Sequence, residues 1–472
     1  MKPLKVHLVG ICGTGMGSLA GLLAESGHQV RGSDENVYQP ISGMLERLGV
    51  PVMLGYKPAN LDWGPDLVII GNIVSKANPE AEEVARRGLA VKSFPQAVED
   101  LFLADRHSVV VVGTHGKTTT SALMAWVLHA AGRDPSWLVG GVLRGQDRSY
   151  RLGRGPHFVI EGDEYETSYF DKGSKFLHYR PRTAILTSVE FDHAEMFRDL
   201  SAVQEAFSAF IALIPPEGVL VYCAGDPNVR ALAGKCCGKR VDYAVSEKAL
   251  WIGRTRKATP EGILFDVFRG NERYASFTSP LTGNHNLENI LGVTAAAAEL
   301  GLGPEEIGKG LSSFPGVKRR QEIRGEERGV VVVDDFAHHP TAVRGTIAAL
   351  AERFAGNRLW AVFEPRTNTS RRSVFQGEYA EAFDMADEIV IASVDHPERV
   401  PEGERFSVER LVEDLKDRGL SARHVPEVDS IVRLIAAEAR DGDVVLIMSN
   451  GAFGGIHDRL LAALRAGREG PR

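Results

Sequence analysis

Short apolar runs rich in Val and Ile recur along the chain, each followed by a polar or Gly-rich loop and then by apolar positions at helical spacing. Such alternation is the signature of parallel sheets covered by helices and predicts an α/β class. The first set comprises "KVHLVG", "HQVRGSD", "DLVIIGN" and "AVKSFP", closed by a helical "QAVEDLFLAD". A second set begins at "SVVVVG" and runs through "FVIEGDE", "TAILTSV" and "GVLVYCAGD" to a β-rich stretch and an Ala-rich helix after "GNHNLENI". Pro315 and Gly316 then break the pattern, and a cluster of charges follows. The last set has "GVVVVDD", "LWAVFEP", "EIVIAS" and "DVVLIMSN". Three domains are expected: a Rossmann-like unit over 1–107, a P-loop ATPase-like unit over 108–316 and a second Rossmann-like unit over 317–472.

Ligands of open parallel sheets bind beyond the carboxyl ends of the strands. The segments "DDFAHHP", "EPRTNT", "SVDHPER" and "SNGAFGG" all follow strands of the last set, so they are expected to line one cleft. A tight turn without ligand contact is the plainer account of "SNGAFGG".

Composition narrows the partners. The 472 residues are 43% hydrophobic and 25% charged, as in ordinary soluble proteins, and the net charge of -7 offers no footprint for nucleic acid. Cys12, Cys223, Cys236 and Cys237 form no CxxC framework, which suits reduced thiols. The start lacks the parts of a signal peptide, and no stretch reaches the roughly 18 apolar residues of a membrane helix. The expectation is a cytoplasmic protein with small-molecule partners, bound to neither nucleic acid nor membrane, and a monomer or weak homo-oligomer.

Two glycine loops carry the candidate chemistry. "GICGTGMGSLA" follows a strand and opens a helix, and Asp34 lies at the end of the next strand, as in a dinucleotide fingerprint. Ser18 stands where the third glycine would be, so a packing turn is the alternative to a diphosphate site. The second loop, Gly113-Thr114-His115-Gly116-Lys117-Thr118, is shorter than a standard P-loop, yet its amides and the helix start suit a polyphosphate. Lys117 can reach terminal phosphates and Thr118 can ligate magnesium. Glu161, Asp163 and Glu164 follow one strand, and Glu190, Asp192 and His193 follow another; they read as solvated charges or as a magnesium site. Asn286 and Asn289 share a helical face and suit either a cap or an adenine edge. A nicotinamide enzyme would leave the second loop unexplained.

With "GTHGKTTT", "EGDEYETSYFDK", "TSVEFDHAEMF", "GNHNLENI", "FPGVKRRQE" and "DDFAHHPTAV" in this order, the chain resembles the ATP-dependent Mur ligases over its whole length. The short P-loop is that family's own form. The resemblance implies a UDP-sugar at the first loop and ATP with Mg2+ at the second. It also implies an acyl phosphate on the muramate carboxylate, displaced by an amine. Within the family, "EYETSYFDKGSKFLHYRPRT", "EPRTNT" and "MSNGAFGGIH" are most similar to the branch that recycles murein by joining UDP-N-acetylmuramate to L-alanyl-γ-D-glutamyl-meso-diaminopimelate. The alternative is the branch that adds L-alanine.

By the same resemblance, Lys117 would act on the β- and γ-phosphates, with Gly113, Thr114, His115, Gly116 and Thr119 in the nucleotide loop. Thr118 and Glu161 would bind magnesium, and His193 a second magnesium or the acyl phosphate. Asn286 and Asn289 would meet adenine, Arg320 the phosphates and Asp335 the ribose. Gly13, Thr14, Gly15, Met16, Ser33 and Asp34 would hold the UDP-sugar; Arg366, Asn368, Thr369, Ser449 and Asn450 would hold the peptide, where Arg suits carboxylates. Some members carry a carbamylated lysine near the position of Phe207, and "RDLSAVQEAFSAF" has no lysine.

Overall fold

The computed structural model describes residues 2–37, 39 and 41–467, so the end of the third expected unit, 468–472, lies outside the described residues. Three sheets are built in turn along the chain. The first joins β1 (Lys5–Val9), β2 (Gln29–Asp34), β3 (Val52–Leu54), β4 (Leu67–Ile70) and β5 (Val91–Ser93) in the order β3-β2-β1-β4-β5, all parallel.

The second sheet has ten strands. Its parallel part contains β6 (His107–Val112), β7 (Ser136–Leu138), β9 (His157–Glu161), β12 (Thr183–Leu186), β13 (Val219–Cys223) and β14 (Lys239–Ala244), with β8 (Tyr150–Arg151) antiparallel at one edge. At the other edge β15 (Trp251–Thr259) pairs parallel with β14, and β16 (Gly262–Arg269) and β17 (Glu272–Ser279) continue as an antiparallel meander. A separate hairpin, β10 (Glu166–Ser168) with β11 (Asp171–Ser174), grows from "EYETSYFDKGS". Val109, Val110, Val111 and Val112 of β6 are each 0% exposed, and burial of such a side chain stabilises by about 1.5–3 kcal/mol. The apolar run is therefore a central strand, buried on both faces.

The third sheet runs β18 (Glu322–Glu327), β19 (Val330–Asp335), β23 (Val444–Met448), β20 (Leu359–Phe363), β21 (Glu388–Ile391) and β22 (Ala422–His424). Only β18 is antiparallel. It arises from the charged stretch after Pro315 and Gly316, where no strand was expected. Its sequence EIRGEE exposes charge at the sheet margin, which blocks pairing with another chain.

The position of the missing third glycine in the first loop has a structural use. Ser18 Oγ lies 2.7 Å from Ser149 Oγ and donates to the Thr14 carbonyl at 2.9 Å, linking the helix Thr14–Glu25 to the edge of the second sheet. A Cβ on Gly21 of the same helix would sit 2.1 Å from the Tyr150 ring, so this crossing requires glycine. All four cysteines are free thiols, and no helix among the described residues is long and apolar enough to cross a membrane.

Candidate functional site

One cleft of about 1230 Å³ opens where the carboxyl ends of the second sheet face the third. Its lining includes Thr114 to Thr119, Glu161, Asp163, Glu190, Asp192 and His193 from the second unit, and Arg319, Arg320, Asp335, His338 and His339 from the third. Asn286 and Asn289 lie on its wall at the start of the helix Asn284–Glu299.

The phosphate loop owes its shape to glycines. Gly113 has φ +142°, and a Cβ there would lie 2.1 Å from Thr187 Oγ1; Gly116 has φ +79°, and a Cβ would lie 2.5 Å from Asn289 Oδ1. The helix Lys117–Ala130 starts directly after Gly116, presenting its free amides to the cleft. Lys117 Nζ donates to the carbonyls of Gly113 at 2.7 Å and Thr114 at 3.2 Å and pairs with Glu164 at 2.8 Å. Burial works against its charge, but Glu164 and Asp163 outweigh burial and raise its pKa.

Beside the lysine stands a pair of hard oxygen donors. Thr118 Oγ1 donates to Glu161 Oε1 at 2.9 Å, and the Gly140 amide donates to Glu161 Oε2 at 2.7 Å. Gly140 is required here, because a Cβ would stand 2.5 Å from that carboxylate. Arg320 reaches Thr118 Oγ1 at 3.3 Å and stacks on Phe336, 4.7 Å from the ring centre, with Arg319 at 5.1 Å from the same ring. Burial lowers the pKa of the Arg320 guanidinium.

His193 occupies the left-handed region at φ +54° and is held on several sides. Its Nε2 lies 3.2 Å from Glu164 Oε1, and its Nδ1 lies 2.7 Å from the Tyr165 hydroxyl and 3.7 Å from Glu195. Burial opposes its charge, yet Glu164, Glu195 and Asp192 together raise its pKa to about 10. The site therefore holds two cations, Lys117 and His193, on the shared carboxylate Glu164, which is 3% exposed.

Other expected residues already have partners. Asp335 accepts from the amides of Gln321 and Ala337, both at 2.8 Å, so it braces two loops of the cleft wall. Asn286 Nδ2 donates to the Thr282 carbonyl at 2.9 Å, and Asn289 Nδ2 donates to Asn286 Oδ1 at 3.3 Å. Thr119 is buried beneath the loop. Phe207 packs into the core with its ring centre 5.4 Å from that of Phe176 and offers no metal ligand.

The first loop lies apart, at the start of the helix Thr14–Glu25, where Thr14 and Gly15 are exposed and Gly13 is half-buried. Met16 is buried; Asp34 accepts from the Cys12 amide at 2.9 Å and the Asn36 amide at 3.1 Å, and Ser33 Oγ donates to buried Glu80 at 2.6 Å.

In the third unit, the loops after β19, β20, β21 and β23 share one end of the sheet. Thr369 Oγ1 donates to Asp192 Oδ1 at 2.8 Å, bringing "EPRTNT" to the His193 cluster. Arg366 lies 3.7 Å from both Glu364 and Asp395, and Asn368 Oδ1 accepts from Arg371 at 3.4 Å. Ser449 Oγ donates to Glu364, while Arg319 donates to the Ser449, Asn450 and Gly451 carbonyls at 2.5, 3.4 and 2.7 Å. Tyr165, Glu195, Arg319, His339 and Thr341 were not singled out from sequence. Each lies inside a motif quoted above, without a role of its own there.

Three family descriptions match the chain in order. "Mur ligase family, catalytic domain" covers residues 5–106, "Mur ligase middle domain" 111–297 and "Mur ligase, glutamate ligase domain" 319–451. A relative from Escherichia coli K12, named UDP-N-acetylmuramate--L-alanyl-gamma-D-glutamyl-meso-2,6-diaminoheptandioate ligase, is 39% identical over 98% of each chain. The chain belongs to the Mur ligase family. A murein peptide ligase structure from Psychrobacter arcticus aligns at TM-score 0.71 and 36% identity, covering 98% of this chain and 99% of that one. A UDP-N-acetylmuramate-alanine ligase from Thermotoga maritima aligns at TM-score 0.80 and 26% identity, covering 98% of this chain and 100% of that one. Shape and sequence thus rank these two Mur ligases oppositely. A TM-score over several domains responds to how they are set against each other, so identity is the better guide to the branch. The members of this family are ATP-dependent, ADP-forming ligases.

Proposed function

We propose that this Mur ligase joins the carboxylate of UDP-N-acetylmuramate to the amino group of L-alanyl-γ-D-glutamyl-meso-diaminopimelate, using ATP through an acyl phosphate. The observation that carries this reading is the 39% identity over 98% of both chains with the Escherichia coli tripeptide ligase. The cleft supplies the chemistry such a reaction needs. Transfer of a phosphoryl group to a carboxylate brings two anions together, and cations must offset both.

The assignment of parts follows from position. The first unit, with Gly13, Thr14, Gly15 and Met16 at a helix start, holds the diphosphate of the UDP-sugar. The phosphate loop and Lys117 hold ATP, and Arg320 adds charge from the third unit. Thr118 and Glu161 fit magnesium, since a hydroxyl and a carboxylate 2.9 Å apart are the hard oxygen donors it prefers. Magnesium, when bound, neutralises charge on the phosphates. His193, held by Glu164 and Tyr165, serves the acyl phosphate or a second magnesium. Bonds from Thr369 to Asp192 and from Thr341 to Glu190 hold the third unit against the second beside the cleft.

The tripeptide carries carboxylates that L-alanine lacks, and Arg366 stands among the strand-end loops of the third unit to receive one. Cytoplasmic location accords with nucleotide-linked substrates.

Lys117→Ala tests the core of the assignment. Ligation should fall by at least about 100-fold, while UDP-N-acetylmuramate binding measured by calorimetry stays within about twofold. Turnover retained at the wild-type rate would remove Lys117 from the reaction.

A further inference from the structure

Of the polar side chains that the helix Asn284–Glu299 sets along the cleft, the asparagines are already committed. Asn286 and Asn289 donate to Thr282 and to Asn286, and Asn289 Oδ1 faces Gly116 of the phosphate loop. Glu288 is not committed. Among the described residues no hydrogen bond or ion pair reaches its carboxyl, whereas every other carboxylate lining the cleft accepts at least one hydrogen bond. Burial and the neighbouring Asp226 charge push its pKa up to about 7, so the group lacks a donor that would offset the cost of its place.

The recess that holds Glu288 is built from the ends of β13 and β14. A Cβ on Gly225 would lie 3.3 Å from Glu288 Oε1 and 3.5 Å from Cys223 Sγ, and a Cβ on Gly292, one turn along the helix from Glu288, would lie 3.0 Å from the Tyr243 ring. Leu281 completes the apolar wall. Among the described residues no cation offsets the carboxyl. Burial raises the pKa of Cys223 and of Tyr243, which stay uncharged, and Asp226 gives its oxygens to the amides of Val189, Asn228 and Val229. The recess stands level with the phosphate loop, because Leu186 of β12 pairs with Val112 of β6 on one side and with Tyr222 of β13 on the other. Two strand spacings, about 10 Å, separate the loop from the recess. A ribose spans that gap between a phosphate at Lys117 and a base beside Glu288.

We propose that Glu288 is the base-selecting residue of the nucleotide site, its carboxyl accepting a hydrogen bond from the 6-amino group of adenine while Leu281, Cys223 and Tyr243 enclose the ring. The inference rests on the family's use of ATP and on neither the sugar acid nor the amine. An apolar recess with a single unpartnered acceptor suits a flat heterocycle that bears an amino group. A carboxyl accepts from such a group in both of its protonation states, since each keeps a free lone pair. A base without the amino group leaves the carboxyl unpaired, and sites built to bond a donor reject analogues that lack it.

Nucleotide binding needs no amine, so the test stands apart from the choice between tripeptide and L-alanine. Calorimetry on the full chain with magnesium compares ADP with GDP and with purine riboside diphosphate, which is ADP without the 6-amino group. The wild type should bind ADP at least about 10-fold more tightly than either. Glu288→Leu removes the acceptor and should weaken ADP binding by about 10-fold while changing that of purine riboside diphosphate by less than about twofold, so that the preference disappears. Glu288→Gln keeps an acceptor and should retain the preference. Circular dichroism checks folding, and should Glu288→Leu fail to fold, Glu288→Ala carries the same comparison. A wild type that does not distinguish ADP from purine riboside diphosphate, a Glu288→Leu variant that keeps the preference, a Glu288→Gln variant that loses it, or GDP bound as tightly as ADP overturns the proposal.

Discussion

At the scale of single residues, the site turns on Glu164, a carboxylate shared by Lys117 and His193. Because the His193 pKa is raised to about 10, its charge adds stability that is fully present below the ordinary histidine value near 6.5 and is lost as pH rises through about 10. Glu164→Gln removes a main cause of that rise. Urea melts of the variant should show a loss of about 1–3 kcal/mol at pH 6 that narrows toward pH 10, as the wild type loses the same interaction. A deficit independent of pH would mean that Glu164 stabilises through Lys117 or by packing and not through the charge of His193. The sequence exposed Lys117, Thr118 and Glu161 as candidates because each sits next to a strand end or glycine loop. It did not expose the link from Glu164 to His193, since the 28 intervening positions fold through a hairpin and a further strand before the two meet.

At the scale of elements, glycine loops and strand ends carry the geometry. Gly140 faces the Glu161 carboxylate so closely that any Cβ displaces it. Gly140→Ala should therefore raise the magnesium concentration needed for half-maximal turnover by about 10-fold while destabilising the chain by about 1–3 kcal/mol. An unchanged magnesium requirement would separate Glu161 from the metal. Most parallel strands were legible, because runs such as "SVVVV" leave buried strands few alternatives. The edge strand β18 was not, because an edge strand that carries charge to deter pairing loses the apolar signal that announces a strand. Asp335 was named through the family resemblance alone, and the bonds it makes to the Gln321 and Ala337 amides depend on a loop with positive φ at Arg319 and Gln321, which no local pattern announces.

At the scale of the whole molecule, the cleft is divided between the second and third units, and only their approach completes it. The third unit meets the second through polar contacts, Thr369 to Asp192, Thr341 to Glu190 and Arg320 to Thr118, and through packed rings, His339 on His115 and Phe375 on Phe191. Interfaces between domains of one chain commonly permit relative motion. X-ray scattering should show a smaller radius of gyration with ATP and UDP-N-acetylmuramate together than with either alone, and identical profiles would argue for a fixed arrangement. Membership of the Mur ligases was readable from motif order along the whole chain, whereas how the third unit is set on the second is a property of long-range contacts. On the proposed function, the choice of amine would lie in that third unit, among Arg366, Thr369 and the Ser449 loop. The most direct measurement is phosphate release from ATP with magnesium and UDP-N-acetylmuramate, comparing L-alanyl-γ-D-glutamyl-meso-diaminopimelate with L-alanine as the amine. Release driven by the tripeptide, with the joined product seen by mass, is the predicted result; release driven by L-alanine and not by the tripeptide would contradict it.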